Sequence, residues 1–560
     1  MISLDFEISS SLKRSGIKKI EYINDDEAIA TLSIFYKKEH KPWLIPLSPK
    51  FDETVRVLDT FIDGRLDSQS KDELKNCIND NLLRIKPHQY KVEQELDYEE
   101  WFTELRTKYE NLHKTAEENF PGLWASLEFE LSVQKILNLK DCSLPFAGIL
   151  LGPPGVLKTL GLGLFRKWKN VFYTDKFCAR AFVSHSTAVK REHLAEIDLL
   201  PKIKNKFFLT PELSPTFATK DDDLIETLGI ITRILDGQGY ESDTGAHGHR
   251  GYNGVYMFTW VGAAVDIPYK VHKYLGTLGP KLYFFRLPLS EKLDEEYIEQ
   301  MNKDDYNVKA PIVQEALIDY LEYFDKCPKL LVDKESESES GLLKMSWDHD
   351  RDDKRTERIV VKLGKLLAYL RAVVTTWETD DTQGLNYAYT LATREDPLRA
   401  MIQLRNLARG RALSQGRNFL TMEDMPILFK VVFSTASLER VRVFELLISN
   451  GGKLTTSMIE ASLNTSNNTA KRTMAELIAI GLVTLGEVKS DSGSNEKQIT
   501  LKDEFDWFLR AEMQSVRNLP PYYSKSESDP ETEKERLGGI FLTLVISAKR
   551  TGKTSGQTSS

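Results

Sequence analysis

The segment Gly152-Pro153-Pro154-Gly155-Val156-Leu157-Lys158-Thr159 follows an apolar run, Phe146 to Leu151. Its residue types suit a polyphosphate. Gly152 and Gly155 let the backbone curl with no Cβ in the way, so consecutive N–H groups can face one anion. The first amides of the helix expected to follow add to that field. Lys158 would reach the outer phosphates, and the Thr159 hydroxyl would ligate Mg²⁺. One position departs from the pattern G-x-x-x-x-G-K-[ST]: Leu157 stands where glycine is usual. The alternative is an ordinary strand–turn–helix with a surface lysine.

A second apolar run, Lys206 to Leu209, leads into Thr210-Pro211-Glu212. A carboxylate ending a buried strand can orient a water for attack on phosphorus, and an aspartate before it would hold the metal's shell. Pro211 occupies that aspartate position, so Glu212 alone is the candidate base. Asp198 is a rival acid, but Leu194 to Asp198 runs into helix-like sequence. The bland alternative for Glu212 is a cap on the next helix. Farther on, Asp236 to Tyr252 is dense in glycine and reads as a hairpin or loop. It carries His247, His249 and Arg250. The His-x-His spacing suits a metal only with a third ligand, and none is evident. His249 and Arg250 are candidates for contact with DNA or with a neighbouring chain.

Elements must position these groups. From Phe146 to about Leu289, strand-like and helix-like stretches alternate, the pattern of a parallel sheet flanked by helices. Expected strands include Ile29 to Tyr36, Trp43 to Leu47 and Val255 to Ala263. Helical periodicity marks Glu99 to Glu118, Leu123 to Leu139, Asp223 to Leu235 and Arg355 to Thr376. Another helix runs to about Gln415, with Asp396 as its N-cap and Pro397 at its first position. Thr421 to Asp424 opens the next. Residues 439–501 show three helical stretches and then two strands around a polar loop, the layout of a winged helix. Its third helix would offer Asn468, Lys471 and Arg472 to DNA, with Lys489 on the wing. The alternative is a module that packs on the rest of the chain or binds protein. The run Lys334 to Gly341 reads as a solvated tether. Beyond Pro520 the polar composition predicts disorder, interrupted by the apolar run Ile540 to Ile546. Expected divisions are 1–140, 141–330, 331–435, 436–510 and 511–560.

The order of these parts resembles the AAA+ ATPases, and most closely the branch of the minichromosome maintenance (MCM) helicases and the MoxR-type proteins, which carry an extra hairpin before the sensor strand. The resemblance covers roughly residues 145–503. It implies an α/β fold with a P-loop AAA+ core, a helical lid, a C-terminal winged helix and a mixed α/β N-terminal region. It implies ATP and Mg²⁺ as cofactors. It also implies a homo-oligomer, a hexameric ring, acting on DNA. A small residue often replaces the glycine before the lysine in MCM proteins, which bears on Leu157. The family's trans-acting arginine would fall at Lys281 or Arg286, with Lys281 fitting better, and its sensor-2 arginine at Arg399. The family's polar residue at the end of the sensor strand has no counterpart, since the sequence reads Gly262-Ala263-Ala264, with Thr259 earlier. The implied function is an ATP-hydrolysing DNA motor or loader. Alternatives are a nucleotide-dependent DNA-binding regulator with little hydrolysis, and a MoxR-like protein remodeller.

Composition bounds the rest. The chain has 560 residues, with 75 Lys and Arg against 83 Asp and Glu, a net charge of −8. That balance excludes a globally basic nucleic-acid coat but leaves room for a local basic face. The cysteines Cys77, Cys142, Cys178 and Cys327 lie far apart, without metal spacing or a disulfide framework, as in a reducing compartment. The N-terminal residues lack an apolar signal-peptide core, and the run at 540–546 is too short to span a bilayer. A soluble, cytoplasmic protein without a membrane partner is expected.

Overall fold

The computed structural model describes residues 2–516, less 7, 25–30, 38, 40, 47–50, 86, 185–192, 246, 247, 280, 289–293, 295–297, 299, 300, 302–304, 328–341, 375, 379–386, 390, 391, 490–492, 494, 512, 514 and 515. The expected tether at 334–341, His247 and the tail with its apolar run lie outside the described residues.

The chain divides into two compact units after Trp101. The first holds an antiparallel sheet in sequence order: β1 (Ile2–Asp5), β2 (Ile17–Asn24), β3 (Thr31–Tyr36) and β4 (Trp43–Pro46). The last two are the strands expected there. Leu12, Ile20, Leu32, Ile34, Ile45, Leu58 and Leu74 form its core.

The second unit carries β5 (Phe146–Leu151), β6 (Val171–Tyr173), β7 (Phe207–Thr210), a hairpin of β8 (Gly239–Thr244) and β9 (Gly248–Asn253), β10 (Thr259–Ala264) and β11 (Leu282–Arg286). Five of these form one all-parallel sheet in the order β11-β5-β10-β7-β6, flanked by helices. The expected α/β class with a parallel sheet holds at that level. Every residue of β5, β7 and β10 is buried, as near-continuous apolar runs require when both faces are covered. Phe208 stacks on Trp260 across neighbouring strands, and the Trp260 indole donates to Thr210 Oγ1 at 2.8 Å. The outer edge of β11 is closed by hydroxyls: Phe284 N donates to Thr435 Oγ1 and Arg286 N to Ser434 Oγ, both at 2.9 Å.

The segment 102–139 packs within this second unit. Every residue of the helix Trp124–Lys135 is buried, including Glu128, Glu130 and Lys135. The helix Leu398–Ser414 reaches it through Arg411, whose Nε donates to Glu128 at 3.0 Å. Arg411 and Arg417 then converge on Asp424, which is fully buried. Asp424 also accepts from Thr421 N at 2.9 Å in a capping box. The helix expected over Arg355 to Thr376 ends sooner, as Lys354–Leu370. Val373, Val374 and Thr376 are β-branched; Val373 bridges Thr393, and a short pair follows, β12 (Thr376–Glu378) with β13 (Tyr387–Tyr389).

The C-terminal module places the helix Leu438–Ser449, β14 (Lys453–Thr455), the helices Thr456–Leu463 and Asn467–Ala479, then β15 (Val483–Lys489) and β16 (Asn495–Leu501). Its antiparallel sheet has the order β14-β16-β15. The sequence reading missed β14, whose three residues are too few to show a period.

Burial works against the charged form of Asp424, yet Arg417 and Arg411 outweigh it and hold the carboxyl below its usual range. Replacing Asp424 by alanine would leave two buried guanidinium groups short of their acceptor, a loss of about 3–5 kcal/mol in a denaturant titration. The contribution of Asp424 is complete above the ordinary carboxylate pKa of about 4 and is lost as pH falls through the lower folded value. The stability gap between wild type and Asp424→Ala should therefore narrow below about pH 4.

Candidate functional site

The loop Gly152–Leu157 leaves the C-terminal end of β5, next to an edge strand, and Lys158 opens the helix Lys158–Leu164. In an open parallel sheet, ligands bind outside the C-terminal ends of strands where successive connections diverge. Here the chain leaves β5 toward β6 on one side and leaves β10 toward β11 on the other. The loop sits at that divergence, and Gly152 N donates to Val265 O, just past β10, at 3.2 Å. Gly155 has φ +88°, where a side chain is strained. A Cβ on Gly152 would lie 2.8 Å from Val156 Cγ2 and press on Leu287.

Leu157 has φ +60°, in the left-handed region. The position that departs from the phosphate-loop pattern is thus the one whose backbone asks for glycine, and a leucine pays a steric cost there. Lys158 is 8% exposed. Its ammonium donates to Gly152 O and to Pro153 O, the latter at 2.8 Å. Among the described residues no carboxylate pairs with it. Burial lowers its pKa, and the charge of Glu212 works the other way. Pro154, Gly155 and Thr159 are exposed, while Pro153 and Val156 are half-buried.

Glu212 lies just past β7, two strands from β5, and is exposed. It accepts from Ser214 N at 2.8 Å, so it caps the short helix Ser214–Phe217 while its field reaches Lys158. Thr259 starts β10, at the far end of the strand from the phosphate loop, and cannot act at that loop. Arg286, at the C-terminal end of β11, is paired with Asp266 at 3.0 Å. Asp266 was missed by sequence reasoning. Its signal is an acid three residues past Ala263, close to where a polar sensor was sought.

The hairpin β8–β9 is present, with Asp243 opposite His249 and Ser242 opposite Arg250. His249 is exposed and stands 3.5 Å from Glu241 and 3.6 Å from Asp243. Arg250 turns inward and donates to Ser184 O at 3.2 Å. Asp198, the rival acid of the sequence, anchors this hairpin: it accepts from Tyr252 Oη at 2.8 Å and from Ser184 N at 3.0 Å. No His/Cys/Asp/Glu group that could hold a metal occurs among the described residues.

Lys281 and Arg399 meet at Asp236, with Lys281 Nζ at 2.6 Å and Arg399 Nη1 at 2.9 Å. Lys281 directly precedes β11, and Gln403, one turn after Arg399, donates to Pro145 O just before β5. Both cations therefore occupy the N-terminal edge of the sheet. The phosphate loop lies at the other edge, one strand length away, about 20 Å. Neither cation can reach the loop of its own chain. In the C-terminal module, Asn468, Lys471, Arg472 and Lys489 are all exposed. Asn468, Lys471 and Arg472 share one helix, and Arg472 is 3.9 Å from Glu476.

No family model matches the chain, and no curated protein matches it. Among solved structures, the chain resembles one described as "The A form apo structure of NrS-1 C terminal region-CTR", at 9% identity and a TM-score of 0.18. That match covers 72% of this chain and 76% of the other. A score this low carries no argument about fold or function. No described helix is long and apolar enough to cross a membrane.

The left-handed turn at Leu157 is testable by stability alone. A β-branched side chain tolerates that region worst, and glycine best. Leu157→Val should unfold about 1–2 kcal/mol more easily than Leu157→Gly in a chemical denaturation series.

Proposed function

We propose that this chain is an ATP-binding and ATP-hydrolysing protein of AAA+ type that works on DNA as a ring of identical subunits, as a motor or loader. The observation that carries the reading is Lys158. Its ammonium is largely buried at the mouth of the loop that carries the Gly155, Val156 and Leu157 amides, bonded to two loop carbonyls and, among the described residues, to no carboxylate. A buried cation without a counter-anion marks a place for one, and the surrounding backbone suits phosphate oxygens.

The residues present fit a nucleotide with Mg²⁺. That group would supply the transferable phosphoryl unit and the metal that bridges its oxygens. The N–H groups of Gly155, Val156 and Leu157 would face the phosphates, since Pro153 and Pro154 have none and Gly152 N is bonded to Val265 O, and Lys158 would exchange its loop carbonyls for phosphate oxygens. The exposed Thr159 hydroxyl is free to turn toward a metal ion. Glu212 would orient a water, being an exposed carboxylate at a strand end within the electrostatic range of Lys158. Lys281 and Arg399 would serve the site of an adjacent subunit, consistent with their distance from their own loop. The trans role suits Lys281 less well than it would an arginine, since an ammonium is a point charge and not a fork.

For DNA, the element order of the C-terminal module supports a winged helix, with the exposed Asn468, Lys471 and Arg472 on its third helix and Lys489 on the wing. The hairpin contributes less than its sequence promised. Arg250 is turned inward, and Glu241 and Asp243 flank His249 with negative charge. A second reading, a regulator that binds nucleotide and hydrolyses little, is favoured by Pro211 and by the lack of a polar residue at the end of β10.

Two measurements test this. ATP turnover should rise with DNA in the wild type and vanish in Lys158→Ala, while Glu212→Gln should keep nucleotide binding and lose turnover at least about a hundredfold. Nucleotide binding without turnover in the wild type selects the regulator. No binding at all sinks both readings. Separately, Lys471→Ala with Arg472→Ala should weaken DNA binding and lower the slope of log affinity against log salt by about two. An unchanged slope would remove this helix from the DNA contact.

A further inference from the structure

A pocket of about 190 Å³ lies beside β11, the edge strand of the parallel sheet. Three parts of the second unit wall it. They are the helix Tyr269–Leu278 with β11, the chain that leaves the helix Lys354–Leu370, and the start of the helix Leu438–Ser449. None of the residues lining it belongs to the phosphate loop. Leu275, Leu282, Phe284, Leu370 and Val374 are buried and make much of the wall apolar. Gly276 lets the wall close, since a Cβ there would meet Val373 Cγ2 at 2.3 Å.

No aspartate or glutamate lines this pocket, whereas Lys273, Arg371 and Arg440 do. The Arg371 guanidinium is engaged by Glu395. Arg440 is set into the wall itself. Its Nη1 donates to the carbonyls of two lining residues, Leu370 at 3.0 Å and Ala372 at 2.7 Å. Its Nε donates to Glu476 at 3.1 Å, which leaves Nη2 as the remaining donor. Lys273 is exposed. His272 meets the Phe284 ring edge-on, with 5.6 Å between centroids. Burial pushes its imidazole down to about 4; Asp266 and Glu439 oppose this, while Arg286 and Arg440 add to it. At neutral pH it is therefore uncharged and offers one donor and one acceptor. A guanidinium held at an apolar wall suits a carboxylate, because charge-assisted bonds strengthen where water is scarce.

We infer that this pocket binds a small monocarboxylate with an apolar body the size of one ring. The carboxylate meets Arg440 Nη2 and Lys273, and the body lies against Leu282 and Phe284. Size sets the body: a cavity of about 150 Å³ accepts benzene, so this pocket has room for one ring and one carboxylate. Convergent polar groups on apolar walls are the usual make-up of a small-molecule site. The helix that carries Arg440 opens the C-terminal module, so an occupied pocket ties that module to the edge of the sheet. The site stands apart from the nucleotide reading and does not depend on it.

The experiment is a fluorine NMR titration of the full chain with para-fluorobenzoate, and with fluorobenzene as the same body without the charge. The acid should bind saturably with a Kd of about 1 mM or tighter. Fluorobenzene should bind at least about tenfold more weakly. Arg440→Lys keeps a cation for the two carbonyls and Glu476 but removes the free Nη2. It should weaken the acid about tenfold. Lys273→Glu, at an exposed position, should weaken it several-fold by reversing a charge. Unchanged affinity in folded Arg440→Lys overturns the proposal. If that variant does not fold, unchanged affinity in Lys273→Glu overturns it. Fluorobenzene bound as tightly as the acid overturns it too, as does the absence of saturable binding by the acid.

Discussion

A parallel sheet buried on both faces has nowhere to do chemistry except at its two ends. The strands β5, β7 and β10 are buried throughout, and hydroxyls of Ser434 and Thr435 close the edge of β11. Side chains along these strands pack against helices and are spoken for. The groups that remain able to meet another molecule are therefore gathered where strands begin and where they stop. At the C-terminal end lie the loop Gly152–Leu157, Lys158, Glu212 and the pair Arg286–Asp266. At the N-terminal end lie Lys281, Arg399, Arg233 and Asp236. The separation of these two groups by one strand length follows from the sheet and is not adjustable by local sequence.

Charge inside the second unit is handled in two different ways. Around Asp424 every partner is supplied internally: Arg411, Arg417 and Thr421 saturate a fully buried carboxylate, and Arg411 continues to Glu128. Such a closed network fixes how helices meet, and it has no use for an outside ligand. Lys158 and the Asp236 cluster are open by comparison. Among the described residues the first has carbonyls but no anion, and the second has one anion for three cations. The contrast within one unit is what makes the open sites informative, since the same chain shows elsewhere that it can neutralise buried charge completely.

The hairpin shows how far residue type can mislead. Histidine, arginine and glycine at this density invite a reading as a mobile, basic finger. In the fold, Tyr252 and Ser184 are tied to the buried Asp198, Arg250 donates to the backbone of Ser184, and the exposed His249 stands between two acids. The partners of Tyr252 and Arg250 lie 54 and 66 positions away, and the Asp243 opposite His249 is a cross-strand neighbour.

The sequence by itself determined the elements that rest on local periodicity and on backbone chemistry. Continuous apolar runs announced β5, β7 and β10, amphipathic spacing announced the helix Asp221–Ile234, and turn residues announced the hairpin. The turn from Gly152 to Leu157 and the helix that opens at Lys158 were legible because both are set by backbone geometry within eight residues. The elements it misjudged were short or ended by distant partners: β14 is too brief to show a period, and the helix Lys354–Leu370 stops where Val373 pairs with Thr393. What only the tertiary structure decided is the company each charged group keeps. Lys281 and Arg399 lie more than a hundred residues apart, and nothing local to either predicts that they share one aspartate. Coulombic and hydrogen-bond partners are chosen by where strands and helices stack, and that information resides in the packing of the whole chain.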